Sequence, residues 1–99
     1  MSSQMKLAKQ AVHDKLMSQL NAAESKLIAL KARAEAAKAH VEIKALGELL
    51  ASKPAITRQL DQLKQSADEH WEDAKRELEG KLAHVEKTAK AIESKLKAT

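Results

Sequence analysis

The sequence predicts an all-α protein: a long antiparallel helical hairpin of the coiled-coil type, two copies of which pair into a four-helix bundle. Three observations predict it. Apolar residues recur at steps of three and four along most of the chain, the spacing that lines one face of an α-helix. The composition is rich in Ala, Lys, Leu and Glu, with no Phe, Tyr or Cys and a single aromatic residue, Trp71. Such a profile belongs to long helices. The one proline, Pro54, falls near the midpoint, where a chain of two equal arms would reverse.

The first helix is expected over residues 3–51. Ser2 or Ser3 is placed to cap its start. Its seam runs through Leu16, Leu20, Ala23, Leu27, Leu30, Ala34, Ala37 and Val41. Met5, Ala8 and Val12 continue it upstream after a small phase shift. A second stripe lies beside the first: Ile28, Ala32, Ala36, Ala39, Ile43, Leu46 and Leu50. Two adjacent stripes make a wide apolar face, and a helix with such a face meets more than one neighbour. This second stripe is therefore the expected dimer face.

The turn is expected at about residues 51–54. Pro54 suits a first helical turn, and Ser52 stands just before it as a cap. Two alternatives stay open. Gly47 could end the first helix and lengthen the turn, or one helix could run through with a kink at the proline.

The second helix is expected over residues 54–98. Its stripe is the cleanest in the chain: Leu60, Leu63, Ala67, Trp71, Ala74, Leu78, Leu82, Val85, Ala89, Ile92 and Leu96. Four Glu-to-Lys or Glu-to-Arg pairs at i,i+4 (Glu72–Arg76, Glu77–Lys81, Glu86–Lys90, Glu93–Lys97) support it from the polar side, at about 0.3 kcal/mol each. Gly80 lies off the stripe and weakens the helix by about 1 kcal/mol relative to Ala.

Folding the chain back at Ser52 sets Val41 against Leu63, Leu27 against Leu78, Leu20 against Val85 and Val12 against Ile92. Trp71 then faces Ala34, large against small, as interdigitated cores require. The expected hairpin core is Leu20, Leu27, Leu30, Ala34, Val41, Leu63, Trp71, Leu78, Leu82, Val85 and Ile92. Each arm would be on the order of 70 Å long, and the whole would form one domain, 1–99. A core without Phe or Tyr buries little area per residue, which favours self-association.

No catalytic constellation emerges. His13, His40, His70 and His84 share no metal-ligand spacing and read as ordinary surface residues, with neutral packing at the seam edge open to His13 and His70. The carboxylates from Asp68 to Glu79 read as a solvated helix face. There is no serine beside a base, no glycine-rich phosphate loop and no P-loop lysine. The expectation is a protein that is not an enzyme, with no cofactor and no metal. Trp71, inside the stripe, reads as core and not as a ligand-stacking group.

The formal charge is +4, from 18 basic and 14 acidic side chains. In the hairpin, Lys6, Lys9, Lys15, Lys81, Lys87, Lys90, Lys95 and Lys97 gather at the open end, with the acidic residues nearer the middle. Such a pole permits contact with nucleic acid or an anionic membrane without requiring either. Met1–Gln10 holds no apolar run of the signal-peptide kind, and the longest uncharged run, Leu16 to Ala23, is far short of a membrane span. A cytoplasmic location is expected.

The segment Ser66-Ala67-Asp68-Glu69-His70-Trp71-Glu72-Asp73-Ala74-Lys75, after an Ala/Lys/Glu-rich helix, resembles small bacterial coiled-coil proteins of unassigned function. These carry an Ala-Trp-Glu-Asp-Leu-Lys type segment on their second helix. Here His70 stands for the Ala and Ala74 for the Leu, and the likeness covers about ten residues. It implies a helical hairpin and no activity. The functional expectation is a non-enzymatic structural or interaction module, a homodimeric scaffold or adaptor with an unidentified protein partner. The alternative is an amphipathic, stress- or lipid-associated surface binder, with nucleic-acid binding third.

Overall fold

The fold, given by a computed structural model, is described for residues 3–98, with side chains from Met5 to Ala98. The cap expected of Ser2 or Ser3 lies outside the described residues. The described chain is helical throughout and holds no strand: α1 Ser3–Ala36, α2 His40–Ala51, α3 Lys53–Gln65 and α4 Asp68–Ala98. Where it reverses differs from the sequence expectation.

The first reversal follows α1. Ala39 N–H donates to Ala34 O at 2.9 Å and Lys38 N–H to Glu35 O at 3.1 Å. These two bonds define a Schellman cap, which places one residue in the left-handed region. That residue is Lys38, with φ 56°. A Cβ there costs about 1–2 kcal/mol, which is why glycine usually fills the position. The first helix thus ends at Ala36, fifteen residues before the expected Ala51.

At the expected turn the chain does not reverse. Ser52 has helical dihedrals, φ −77° and ψ −15°. Its N–H reaches Glu48 O and Leu49 O at 3.2 Å, and Ile56 N–H reaches Ser52 O. Pro54 withholds only its own N–H, so α2 and α3 form one course with a kink, the behaviour of proline inside a helix. The hydroxyl of Ser52 donates to Leu49 O at 2.6 Å and takes part in the bend.

The second reversal is at 66–67. Ser66 is extended, φ −69° and ψ 149°, and both its N–H and its hydroxyl donate to Leu63 O. That is the local competition with the helix ladder that serine offers. Asp68 and Glu69 then stand in the first turn of α4, where the helix dipole favours carboxylates.

Cross-links between helices set their directions. Lys9 Nζ donates to Ser66 O at 2.7 Å and to Asp68 Oδ1 at 2.6 Å, while Lys53 Nζ donates to Glu24 at 2.8 Å. The kinked helix α2–α3 therefore runs antiparallel to α1. α4 runs parallel to α1, with Asp68 beside Lys9 and Glu93 3.5 Å from Lys26. Three helical courses pack together, with extents of 54 × 19 × 17 Å. The two arms on the order of 70 Å, with their single turn at 51–54, are replaced by three shorter ones.

Leu20, Leu27, Leu30, Ala34, Leu63, Trp71, Leu78, Leu82, Val85 and Ile92 are all buried, but in a three-helix core and not a two-helix seam. Val41 is the exception at 76 % exposed, because the cap at Lys38 starts α2 with that side outward. The pairing of Trp71 with Ala34 does not form. Trp71 lies one turn past Asp68, which bonds Lys9, and Ala34 is 25 residues beyond Lys9 along α1, a span of about 37 Å at 1.5 Å per residue.

The expected dimer face is divided. Leu46 is 0 % exposed, with Ala39, Ile43 and Leu50 half-buried against the same core. Ile28, Ala32 and Ala36 stay exposed on α1. The second stripe is thus split: its α2 part is buried within the chain, and its α1 part faces outward.

Candidate functional site

The seam of α1 changes character toward the N-terminal end. Leu20, Leu16, His13 and Lys9 follow one another at steps of four, three and four, and all four are buried. The apolar continuation expected at Met5, Ala8 and Val12 is displaced: Met5 and Val12 are half-buried and Ala8 is exposed. Two polar residues hold the inward positions, and reading only apolar types along the seam passes over them.

Lys9 is 3 % exposed. Its ammonium ties α1 to Ser66 O and Asp68, the two sides of the second reversal. A cation this deeply placed requires partners, and its apolar stem fills seam volume. His13 is 8 % exposed. Its Nδ1 lies 3.0 Å from Asp14 Oδ1 and its Nε2 lies 3.1 Å from Asp61 Oδ1. Carboxylates only accept, so both contacts are hydrogen bonds when both ring nitrogens carry protons. His13 packs inside the seam, and its ring bridges Asp14 on α1 to Asp61 on α3. His70 is exposed, 3.5 Å from Glu69, and takes no part in the seam.

The hydrogen bond from His13 holds the Asp14 carboxyl below its ordinary value of 3.8, with smaller help from Gln10 and from the charges of His13 and Lys64, against a desolvation that raises it. A depressed folded-state value means stability that is present above the unfolded-state value and lost as pH falls through the folded one. The stability gap between wild type and Asp14→Asn is therefore expected to close as pH falls below 3.8. Thermal melts across the acid range check this. A gap unchanged through that range would remove Asp14 from the bridge.

Trp71 closes the same end of the core. Its indole N–H is buried without a hydrogen-bond partner, and the Lys75 ammonium stands 5.3 Å from its ring centroid. Such a cation–π contact contributes about 0.5–1 kcal/mol.

Between α4 and the kinked helix the bundle is open. Hollows of about 370 and 220 Å³ line that side. Leu49, Ile56 and Val85 line the larger, and Leu63, Ala74 and Leu78 the smaller. Lys81 Nζ donates to Gln59 Oε1 at 2.7 Å and ties one wall to the other. Gly80 borders the larger hollow, and a Cβ there would meet nothing within 4 Å.

The basic residues regroup. Because α4 runs parallel to α1, Lys6, Lys9 and Lys15 lie at one end of the bundle and Lys87, Lys90, Lys95 and Lys97 toward the other, instead of sharing one open end. Residues 26–46 and 88–98 form the tip around the first reversal. They carry eight basic and three acidic side chains, a net of +5. The remaining ten basic and eleven acidic side chains sum to −1. The whole net charge of the chain sits at that tip.

Among the described residues no three His, Asp or Glu side chains gather as a metal site requires. No described helix is long and apolar enough to cross a membrane. Compared with protein-family models, curated proteins and solved structures, the chain matches none.

Proposed function

We propose that the chain is a non-enzymatic helical interaction module, a scaffold or adaptor that works as a pair with a second copy. The observation that carries this reading is the outward face of α1. Leu7 and Ile28, 56 % exposed in the latter case, stand there among exposed Ala11, Ala22, Ala29, Ala32 and Ala36. With its inner seam filled by its own chain, α1 carries apolar side chains outward at both ends of this face, with Asp14, Ser18, Asn21 and Ser25 between them.

The pattern suits a copy of itself. If two α1 helices lie antiparallel with full overlap of Ser3–Ala36, Leu7 of each falls opposite Ala32 of the other, and Ile28 opposite Ala11. Large residues then meet small ones, as close packing requires. Contact of this kind is isologous and closes at two copies. The small residues between let the axes approach to about 8 Å. The result has the two α1 helices at its centre, one from each chain, in place of the expected pairing of hairpins through Leu46 and Leu50.

Light scattering on a size-exclusion column tests the reading. Twice the chain mass is expected at micromolar concentration, falling to one chain in Ile28→Asp with helicity unchanged. A wild-type chain that stays single under those conditions would end this proposal.

A further inference from the structure

We infer that the basic tip around the first reversal seats on an anionic lipid surface, with Val41 as its apolar contact. The tip forms only in this topology. α1 ends there, α2 begins there, and α4, parallel to α1, brings its last turns to the same end. Lys38, Lys44, Lys90, Lys95 and Lys97 are exposed around it, with Lys31 half-buried. Val41, 76 % exposed, stands beside the reversal, next to exposed His40 and near exposed Ala36 and Ala37.

Two features favour a lipid surface over nucleic acid. The tip cations are lysines apart from Arg33. Lysine is a compact point charge on a long apolar stem, suited to a diffuse layer of headgroups, whereas arginine is the fork that reads phosphates and base edges. The large apolar side chain exposed at the centre, Val41, is aliphatic. A valine side chain gains from the acyl boundary and gains little from a phosphate backbone. The tip's +5 against −1 elsewhere also orients the molecule, so that this end approaches a negative surface first.

The test is sedimentation with vesicles of phosphatidylcholine alone or mixed with phosphatidylserine, at low and high salt. Binding is expected to the mixed vesicles only, and to weaken steeply as salt rises. Each tip lysine neutralised is expected to weaken it about fivefold. The double variant Lys44→Gln/Lys95→Gln should therefore bind about 25-fold more weakly. Lys6→Gln/Lys64→Gln, with the same net charge but altered at the other end, should stay within about twofold, since screening confines the attraction to nearby charges. Val41→Ser should weaken binding while leaving its salt dependence unchanged. All five substituted residues are exposed, and circular dichroism checks that each variant keeps its helices. Equal losses in the two double variants would overturn the inference. So would binding to phosphatidylcholine alone, a wild type indifferent to phosphatidylserine at low salt, or tighter binding to duplex or single-stranded nucleic acid than to the mixed vesicles.

Discussion

Leu46→Ala is expected to lower the unfolding free energy by about 2–5 kcal/mol, the range for leucines truncated in packed cores. Domains of this size carry about 5–15 kcal/mol in total, so the loss is a large fraction. The upper part of the range is expected because Leu46 is 0 % exposed. It is placed there by α2 folding back onto α1, and rigid helices on both sides limit collapse of the cavity. The difference from wild type should be the same at every protein concentration, because the contacts it removes lie within one chain. In an intermolecular seam through Leu46 the loss would act through association and grow on dilution. Urea melts at two concentrations decide between the two. A loss under about 1 kcal/mol, or one that depends on concentration, would take Leu46 out of the intrachain core.

Trp71 gives the second large effect, and its size depends on the replacement. Trp71→Ala is expected to cost about 3–5 kcal/mol, as large aromatic truncations do. Trp71→Phe should cost less than about 1 kcal/mol. The smaller ring gives up some packing, but the change also removes a buried N–H without a partner, a group that itself costs about 1–3 kcal/mol. Lys75 keeps an aromatic face beneath it in the Phe variant. Equal losses in the two variants would show that the indole N–H is satisfied in solution.

The helical nature of the chain and most of its buried residues were legible in the three-and-four spacing. Apart from half-buried Ala23, the seam from Leu16 to Ala34 on α1 and the stripe from Leu78 to Leu96 on α4 are buried where the spacing puts them. The width of the first-helix face was legible as a need for two neighbours. That the second stripe divides, its α2 part buried within the chain and its α1 part outward, was not. Neither reversal announces itself in residue type. Lys38 takes a left-handed position usually held by Gly or Asn, so its position reads as helix interior. At the second reversal the steps Leu63, Ala67, Trp71 stay in phase across the break, and the apolar pattern alone does not register it. Pro54, the loudest signal, marks a kink. Its missing N–H costs one ladder bond, and Ser52 keeps the helical course around it.

The buried polar end was missed for a different reason. Lys9 and His13 continue the seam in perfect phase from Leu20 and Leu16, but neither is an apolar type. Their inward position depends on Asp61, Ser66 and Asp68, between 48 and 59 residues away. Only the return of α3 along α1 brings those partners together, and a hairpin would have set Lys9 near residue 95 instead. The same topology moved the basic pole from the expected open end to the tip around Lys38.

The fold and both proposals rest on the direction in which the second and third helical courses return along α1. Spin labels at exposed positions 10, 65 and 94 report it by double electron–electron resonance. In the three-helix bundle, position 10 lies close to 65, because Lys9 bonds Ser66 and Asp68. Position 94 lies beside the level of Lys26, sixteen residues and about 24 Å up α1 from position 10. A short 10–65 distance and a 10–94 distance on the order of 25 Å or more are therefore expected. A short 10–94 distance together with a long 10–65 distance is the hairpin's signature, and it would contradict the fold and both proposals built on it.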